Sequence, residues 1–273
     1  VIFSSKESLS NELFCEACQS WFSESFTSVK FLANLKQHIV IVQNGGASSM
    51  SALFKFINSS IGSKTLMGLS GLALSGFVLV HMAGNLFIFG GPESYNTYGY
   101  KLESNPLLII AEAGLVVFFL THIVKGLLIS LKNLCARGGQ GYAVAAKGSK
   151  ATTPVSKTLA YQGIIILVFL VLHLITFKYG ADYRVTYNGV EMRDLYKLIN
   201  EVFHKPTYVI WYVAALLVLW GHLGHGLYST FQTLGLNHPK YECALKKIGY
   251  VYAAIVSLGF ISQPLYVFLH NSN

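Results

Sequence analysis

Five long apolar stretches run along the chain, near 65–90, 107–131, 157–178, 206–233 and 245–269, and polar and charged residues gather between them. Each is close to the roughly 20 residues needed to cross hydrocarbon as a helix. None shows the period-two alternation of a membrane barrel strand. Backbone groups in lipid must be satisfied within the segment, and a helix does that. The pattern therefore predicts an all-α fold, a bundle of five transmembrane helices. Phe54 to Lys64 is short and mixed, an interfacial lead-in to the first span. Between the third and fourth spans, Asp194 to Phe203 has apolar residues at helical spacing and is expected to form a short surface helix.

Composition agrees: 53% of the 273 residues are hydrophobic and 12% charged, against about 25% charged in a soluble domain. The net charge of +8 is not a nucleic-acid signature, because the basic residues cluster between spans. Alternate segments hold Lys55 and Lys64, then Lys132, Arg137, Lys147, Lys150 and Lys157 without an acid, then Lys240, Lys246 and Lys247 against Glu242. On the other side, Lys178, Arg184, Arg193, Lys197 and Lys205 are balanced by Asp182, Glu191, Asp194 and Glu201. Positive-inside asymmetry places the N-terminus in the cytoplasm and the C-terminus outside. The basic faces also suit a soluble partner. Residues 1–49 lack a spanning run and a signal-peptide pattern, and the natural chain is expected to begin at Met50, with the membrane domain covering 50–273. Cys135 and Cys243 fall near cytoplasmic loops, where thiols are expected to stay reduced. The Cys15-x-x-Cys18 pair is weak evidence for metal or redox work.

The candidate chemistry lies in the histidines. Four spans carry one well inside the apolar run: His81, His122, His173, and His222 with His225. An ionisable group at that depth is costly and points to function, although a membrane histidine also serves as a hydrogen-bonding group between helices. Laid on a common axis from the inner face, His81 and His173 sit at about 24 Å and His122 and His222 at about 14 to 16 Å. An outer and an inner pair result. Two imidazoles from facing helices at one level are what a six-coordinate haem iron requires. Structural zinc wants four clustered ligands, and bis-histidine ligation leaves no position for oxygen chemistry. Electron transfer is the remaining role. Gly84, Gly126 and Gly226 follow His81, His122 and His222 by about one turn, as a flat macrocycle or close helix packing would require. Lys125 would pair with a propionate of the inner haem or snorkel to the interface.

Further motifs join these: Ser60-Ile61-Gly62-Ser63-Lys64, Val80-His81-Met82-Ala83-Gly84-Asn85, Pro92-Glu93-Ser94-Tyr95-Asn96, Thr121 to Gly126, Leu172-His173-Leu174, and His222 to His238. In this order they resemble the single-polypeptide, five-helix, dihaem cytochrome b family of succinate dehydrogenases and fumarate reductases, over roughly Phe54 to Leu269. The resemblance implies two haems b, one between the first and third spans and one between the second and fourth. It also implies a flavoprotein subunit and an iron-sulfur subunit on the cytoplasmic face of a bacterial inner membrane, and a quinone substrate, with menaquinone favoured. The chain itself would not bind dicarboxylate.

The family pattern, a glycine four residues after the ligand, selects His222 over His225, which three residues separate by only about 4.5 Å. His225 then stands behind the ligand or on the quinone side. A family glutamate outside the first span accepts protons from quinol. Glu103 occupies the matching place, and Glu112 is the other candidate. The family's proton-carrying glutamate two residues before the fourth ligand is here Trp220, which leaves a transmembrane proton path in doubt. Two other readings stay open: a cytochrome anchor of a hydrogenase or formate dehydrogenase, and a haem-free structural subunit with histidines as buried polar groups. A bc-type cytochrome b places two histidines about four turns apart on each of two helices, and no span here does.

Overall fold

The computed structural model describes residues 47–136 and 154–270. The Cys15–Cys18 pair, nearly all of the 1–49 extension and most of the glycine-rich basic loop lie outside them. Of the described residues, 47–64 with 125–136 belong to one compact unit, and 65–124 with 154–270 to the other. Each is described by itself.

The chain is mostly helical, and five helices are long and apolar enough to cross a membrane. After α1 (Ala47–Asn58) come α2 (Ser60–Asn85), α3 (Gly91–Glu103), α4 (Leu107–Ala136) and α5 (Pro154–His173), the last extended by a π-helical turn at Leu174–Lys178. The short helix α6 (Leu195–Phe203) precedes α7 (Pro206–Thr233) and α8 (Glu242–His270). The spanning helices are α2, α4, α5, α7 and α8, as the apolar runs predict. The first run departs in detail. Its helix stops at Asn85, a 3₁₀ turn covers Leu86–Gly90, and α3 begins at Gly91 with φ of 84°. Gly90-Gly91-Pro92 supplies the reason, because a left-handed glycine ends one helix and a proline in the first turn starts the next.

In the first unit, the lead-in to the first span is two helices broken at Ser59. A side chain at Gly62 would collide with the Phe56 carbonyl, 1.9 Å from an added Cβ, so only glycine allows this junction. The Ser59 hydroxyl accepts from the Gly62 amide at 3.0 Å and caps the start of α2.

In the second unit, α7 and α8 approach most closely, through glycine on both sides. An added Cβ at Gly249 would lie 2.9 Å from the Gly224 carbonyl, and one at Gly224 would lie 2.7 Å from the Tyr250 ring. Small residues let backbones meet in this way where lipid offers no hydrophobic drive between helices. Around the contact, Leu223, Ala253 and Val256 are buried, with Trp220 and Phe260 against them. Tyr252 ties α8 to α2, donating to the Ser75 carbonyl at 2.7 Å while its oxygen accepts from the Ser75 hydroxyl at 3.0 Å.

A capping segment joins the third span to the fourth. The surface helix expected at Asp194 to Phe203 is α6. Ahead of it stands a hairpin that the all-α expectation did not include, β1 (Arg184–Tyr187) and β2 (Val190–Arg193). The strands are antiparallel in register Arg184 to Arg193 and Tyr187 to Val190. Its turn is Asn188-Gly189, with φ of 50° and 79°, and an Asn-Gly pair between short β-prone runs is a strong hairpin signal. Tyr183 donates to the Glu201 carboxylate at 2.7 Å, which raises its phenol above the usual range.

Polar bonding locks this cap to α3. Asn96 is fully buried, donates to Asp194 Oδ1 at 2.8 Å and accepts from the Tyr196 amide at 2.9 Å. Asp194 is also the N-cap of α6, accepting from the Lys197 amide at 3.0 Å. Ile88, Tyr95, Ile199, Phe203, Tyr212 and Val267 form the apolar cluster beneath. Cys243 is a free, exposed thiol, but Cys135 is disulfide-bonded where a reduced thiol is expected from loop position. Pairing depends on proximity in the fold, which spacing along the chain does not display.

Asn96→Ala leaves the half-buried Tyr196 amide without its acceptor and the half-buried Asp194 carboxylate with one partner fewer, and should cost roughly 1–3 kcal/mol. Thermal unfolding in detergent should show a clearly lower midpoint than the parent. An unchanged midpoint would remove Asn96 from the list of structural locks.

Candidate functional site

The histidines of the second unit meet in two pairs. His81 on α2 and His173 at the end of α5 have ring centroids 5.9 Å apart, with planes at 85°. His122 on α4 and His222 on α7 have centroids 6.2 Å apart, with planes at 77°. These are the pairs that depth along the helices predicts. His225, the rival for the fourth position, instead places Nε2 3.2 Å from the Ser229 hydroxyl on its own helix.

Spacing and orientation together restrict what such a pair can do. A metal-to-imidazole bond is about 2 Å, so two bonds end to end, with the reach from each nitrogen to its ring centre, come to about 6 Å. Both pairs match that separation. Among the described residues no group of three or more His, Cys, Asp or Glu is positioned to hold a metal ion. Each pair brings two imidazoles to that separation, and two imidazoles are the number that the axial positions of a haem iron take.

The other ring nitrogen tells the same story. His122 Nδ1 lies 3.2 Å from the Met67 carbonyl, and His173 Nδ1 lies 3.3 Å from the Tyr212 hydroxyl. His81 Nδ1 is 3.4 Å from the Asn85 amide nitrogen. That amide also donates to the His81 carbonyl at 2.8 Å and accepts from Tyr95 at 2.7 Å. Among the described residues His222 Nδ1 is buried without a well-formed hydrogen bond, although the Leu159 backbone interacts with this side chain. In two rings, His122 and His173, Nδ1 faces an oxygen able to accept its proton, the arrangement in which an outer partner orients a ligating imidazole, whereas the Asn85 nitrogen beside His81 is a donor.

Glycines admit these rings. A Cβ at Gly71 would lie 3.1 Å from His122 Cε1, so glycine lets the ring lean on the backbone of α2. Gly163 gives His222 more room, at 3.6 Å. Neither glycine stands out in the sequence, because each needs a partner helix to acquire meaning. The three singled out by spacing divide. Gly84 is packed against Tyr98, with an added Cβ 2.2 Å from its hydroxyl, which is close helix packing. Gly126, in the first unit, and Gly226 have nothing among the described residues within 4 Å of an added Cβ.

Aromatic rings close the outer pair off. Phe77 stacks on His81 at 5.4 Å, Phe260 reaches it at 5.6 Å, and Phe169 and Phe177 contact His173 at 5.8 and 5.4 Å. The remaining candidates stand apart from the pairs. Lys125, in the first unit, donates to the Ile57 carbonyl at 2.9 Å. Glu103 is exposed at the end of α3, with no hydrogen bond or ion pair among the described residues. Glu112 is ion-paired with Lys178, five residues beyond His173. Comparison with protein-family models, with curated proteins and with solved structures found no match.

Gly71→Val should push the His122 ring off the Met67 carbonyl, whereas Gly163→Ala should be tolerated. Nitrogen-15 spectra of histidine-labelled protein in lipid should then show a moved His122 resonance in the first variant only. Equal spectra in both variants would mean that Gly71 does not seat the ring.

Proposed function

We propose that this chain is the membrane-embedded cytochrome b subunit of a succinate:quinone oxidoreductase, holding two haems b. The observation that carries the reading is the pair of histidine pairs at two depths, each at the separation of two axial ligands. Two haems bound there would supply one-electron carriers at two depths, linking an iron-sulfur subunit on the cytoplasmic face with a membrane quinone, menaquinone by the family resemblance.

The protein's own residues have separate tasks in this reading. His81 and His173 hold the outer group, and His122 and His222 the inner one. Met67 and Tyr212 fix two of the imidazoles, and the aromatic rings around the outer pair exclude water, which favours a six-coordinate, electron-transferring centre. The basic inner segments, with Lys132 and Lys157 among them, dock the iron-sulfur and flavoprotein subunits. A carboxylate near the outer end takes the proton released when quinol is oxidised. Glu103 fits by its place in the family pattern. Glu112 fits by position, since its pair with Lys178 lies one to two turns from His173 along α5.

Haem content with low-temperature spectra tests the ligands one by one. His81→Ala or His173→Ala should remove or convert the outer haem alone, and His122→Ala or His222→Ala the inner one. His225→Ala should retain both. If His225→Ala loses the inner haem while His222→Ala keeps it, the fourth ligand is misassigned by one turn. Near-perpendicular imidazole planes also make a low-spin ferric centre strongly anisotropic, so both signals should be of that type in EPR. A rhombic signal, typical of parallel planes, would contradict the ring geometry.

The subunit assignment is tested separately. The chain should co-purify with a flavin-bearing and an iron-sulfur subunit, and succinate should reduce its haems. Glu103→Gln and Glu112→Gln should each leave the haems in place, and the one at the quinone site should slow quinol-linked turnover by about 10²-fold or more. Unaltered turnover in both variants would move the proton acceptor elsewhere.

A further inference from the structure

The acceptor behind His173 is of a different kind from the one behind His122. His122 rests on a peptide carbonyl, while His173 faces a phenol, that of Tyr212 on α7. Tyr212 is 6% exposed. Its hydroxyl has no other hydrogen-bond partner among the described residues. Its ring is gripped edge-on by Phe169 at 4.9 Å, Phe177 at 6.0 Å and Phe203 at 5.0 Å. Phe169 and Phe177 belong to α5 and its π turn, and Phe203 to the capping helix α6. The phenol is thus held in place from two elements, one of them outside the spans.

We infer that Tyr212 is a positioning residue for His173, accepting the Nδ1 proton and leaving the Nε2 lone pair for iron. The inference rests on the dihaem reading above. A tyrosine hydroxyl can donate or accept, so the direction of this bond follows from the imidazole. A ring that gives its Nε2 lone pair to a metal carries its proton on Nδ1, and the hydroxyl must then accept. Among the described residues Tyr212 is the partner within hydrogen-bonding geometry of the His173 ring, whose other ring neighbours are Phe169, Phe177 and His81. Accepting that proton pushes electron density onto the imidazole, raises its basicity as a ligand and favours ferric iron. Loss of the hydroxyl reverses this, and the outer haem becomes easier to reduce.

The experiment uses the full complex in lipid, as parent, Tyr212→Phe and Phe169→Leu, with redox titration followed optically and by EPR. Tyr212→Phe keeps the ring and its Phe contacts. It should keep both haems, favour reduction of the outer haem by roughly tenfold, or about 59 mV for one electron, and shift only the outer haem's EPR signal. Phe169→Leu disturbs the packing but keeps the hydroxyl, and should change the outer potential by much less. An unmoved outer potential and signal in Tyr212→Phe, an equal shift in Phe169→Leu, or loss of the outer haem from a folded Tyr212→Phe complex overturns the inference. A parent complex without b haems overturns the reading beneath it as well, whereas haems present with an unmoved potential overturn the role of Tyr212 alone.

Discussion

An imidazole in the middle of an apolar helix has two nitrogens that must both be satisfied, and lipid satisfies neither. Much of the second unit is arranged around that constraint. Four rings from four helices meet in twos, and the Nδ1 atoms of three of them are held by a carbonyl, a phenol or an amide. Helix placement follows from the same need. Gly71 exists as a glycine because His122 must reach the Met67 carbonyl, and Phe169 and Phe177 flank the ring that Tyr212 holds.

The two ends of the second unit are stabilised differently. At one end, a polar lock of Asn96, Asp194 and the start of α6 sits over an apolar cluster, so the capping segment is structured rather than a passive linker. Phe203 links that cap to the ring of Tyr212, and through it to the His81–His173 pair. Packing of the cap and placement of His173 therefore share residues. Deeper in, α7 and α8 approach through Gly224 and Gly249, and there backbone contact replaces side-chain bonding.

Several features were legible in the residues themselves. The five spans follow from run length and hydropathy, because crossing hydrocarbon imposes a length that few other structures need. The levels of the histidines follow from a fixed rise per residue, since a straight helix converts sequence position into depth. The surface helix at Asp194 to Phe203 is visible as periodicity, and the hairpin before it is encoded locally by Asn188-Gly189, a turn pair that the all-α expectation did not use.

What tertiary structure decided is everything that depends on which face meets which. Depth places His222 and His225 within one turn of each other, and only the rotation of α7 puts His222 against His122 while His225 turns to Ser229. The roles of Gly71 and Tyr212, the packing of Gly84 against Tyr98, the pairing of Glu112 with Lys178 and the bonding of Cys135 have the same origin. The sequence by itself determined which segments enter the apolar layer and how deep each histidine lies, because hydropathy and helical rise are local properties. Azimuth and contact are properties of helices packed together, and only the folded chain sets them.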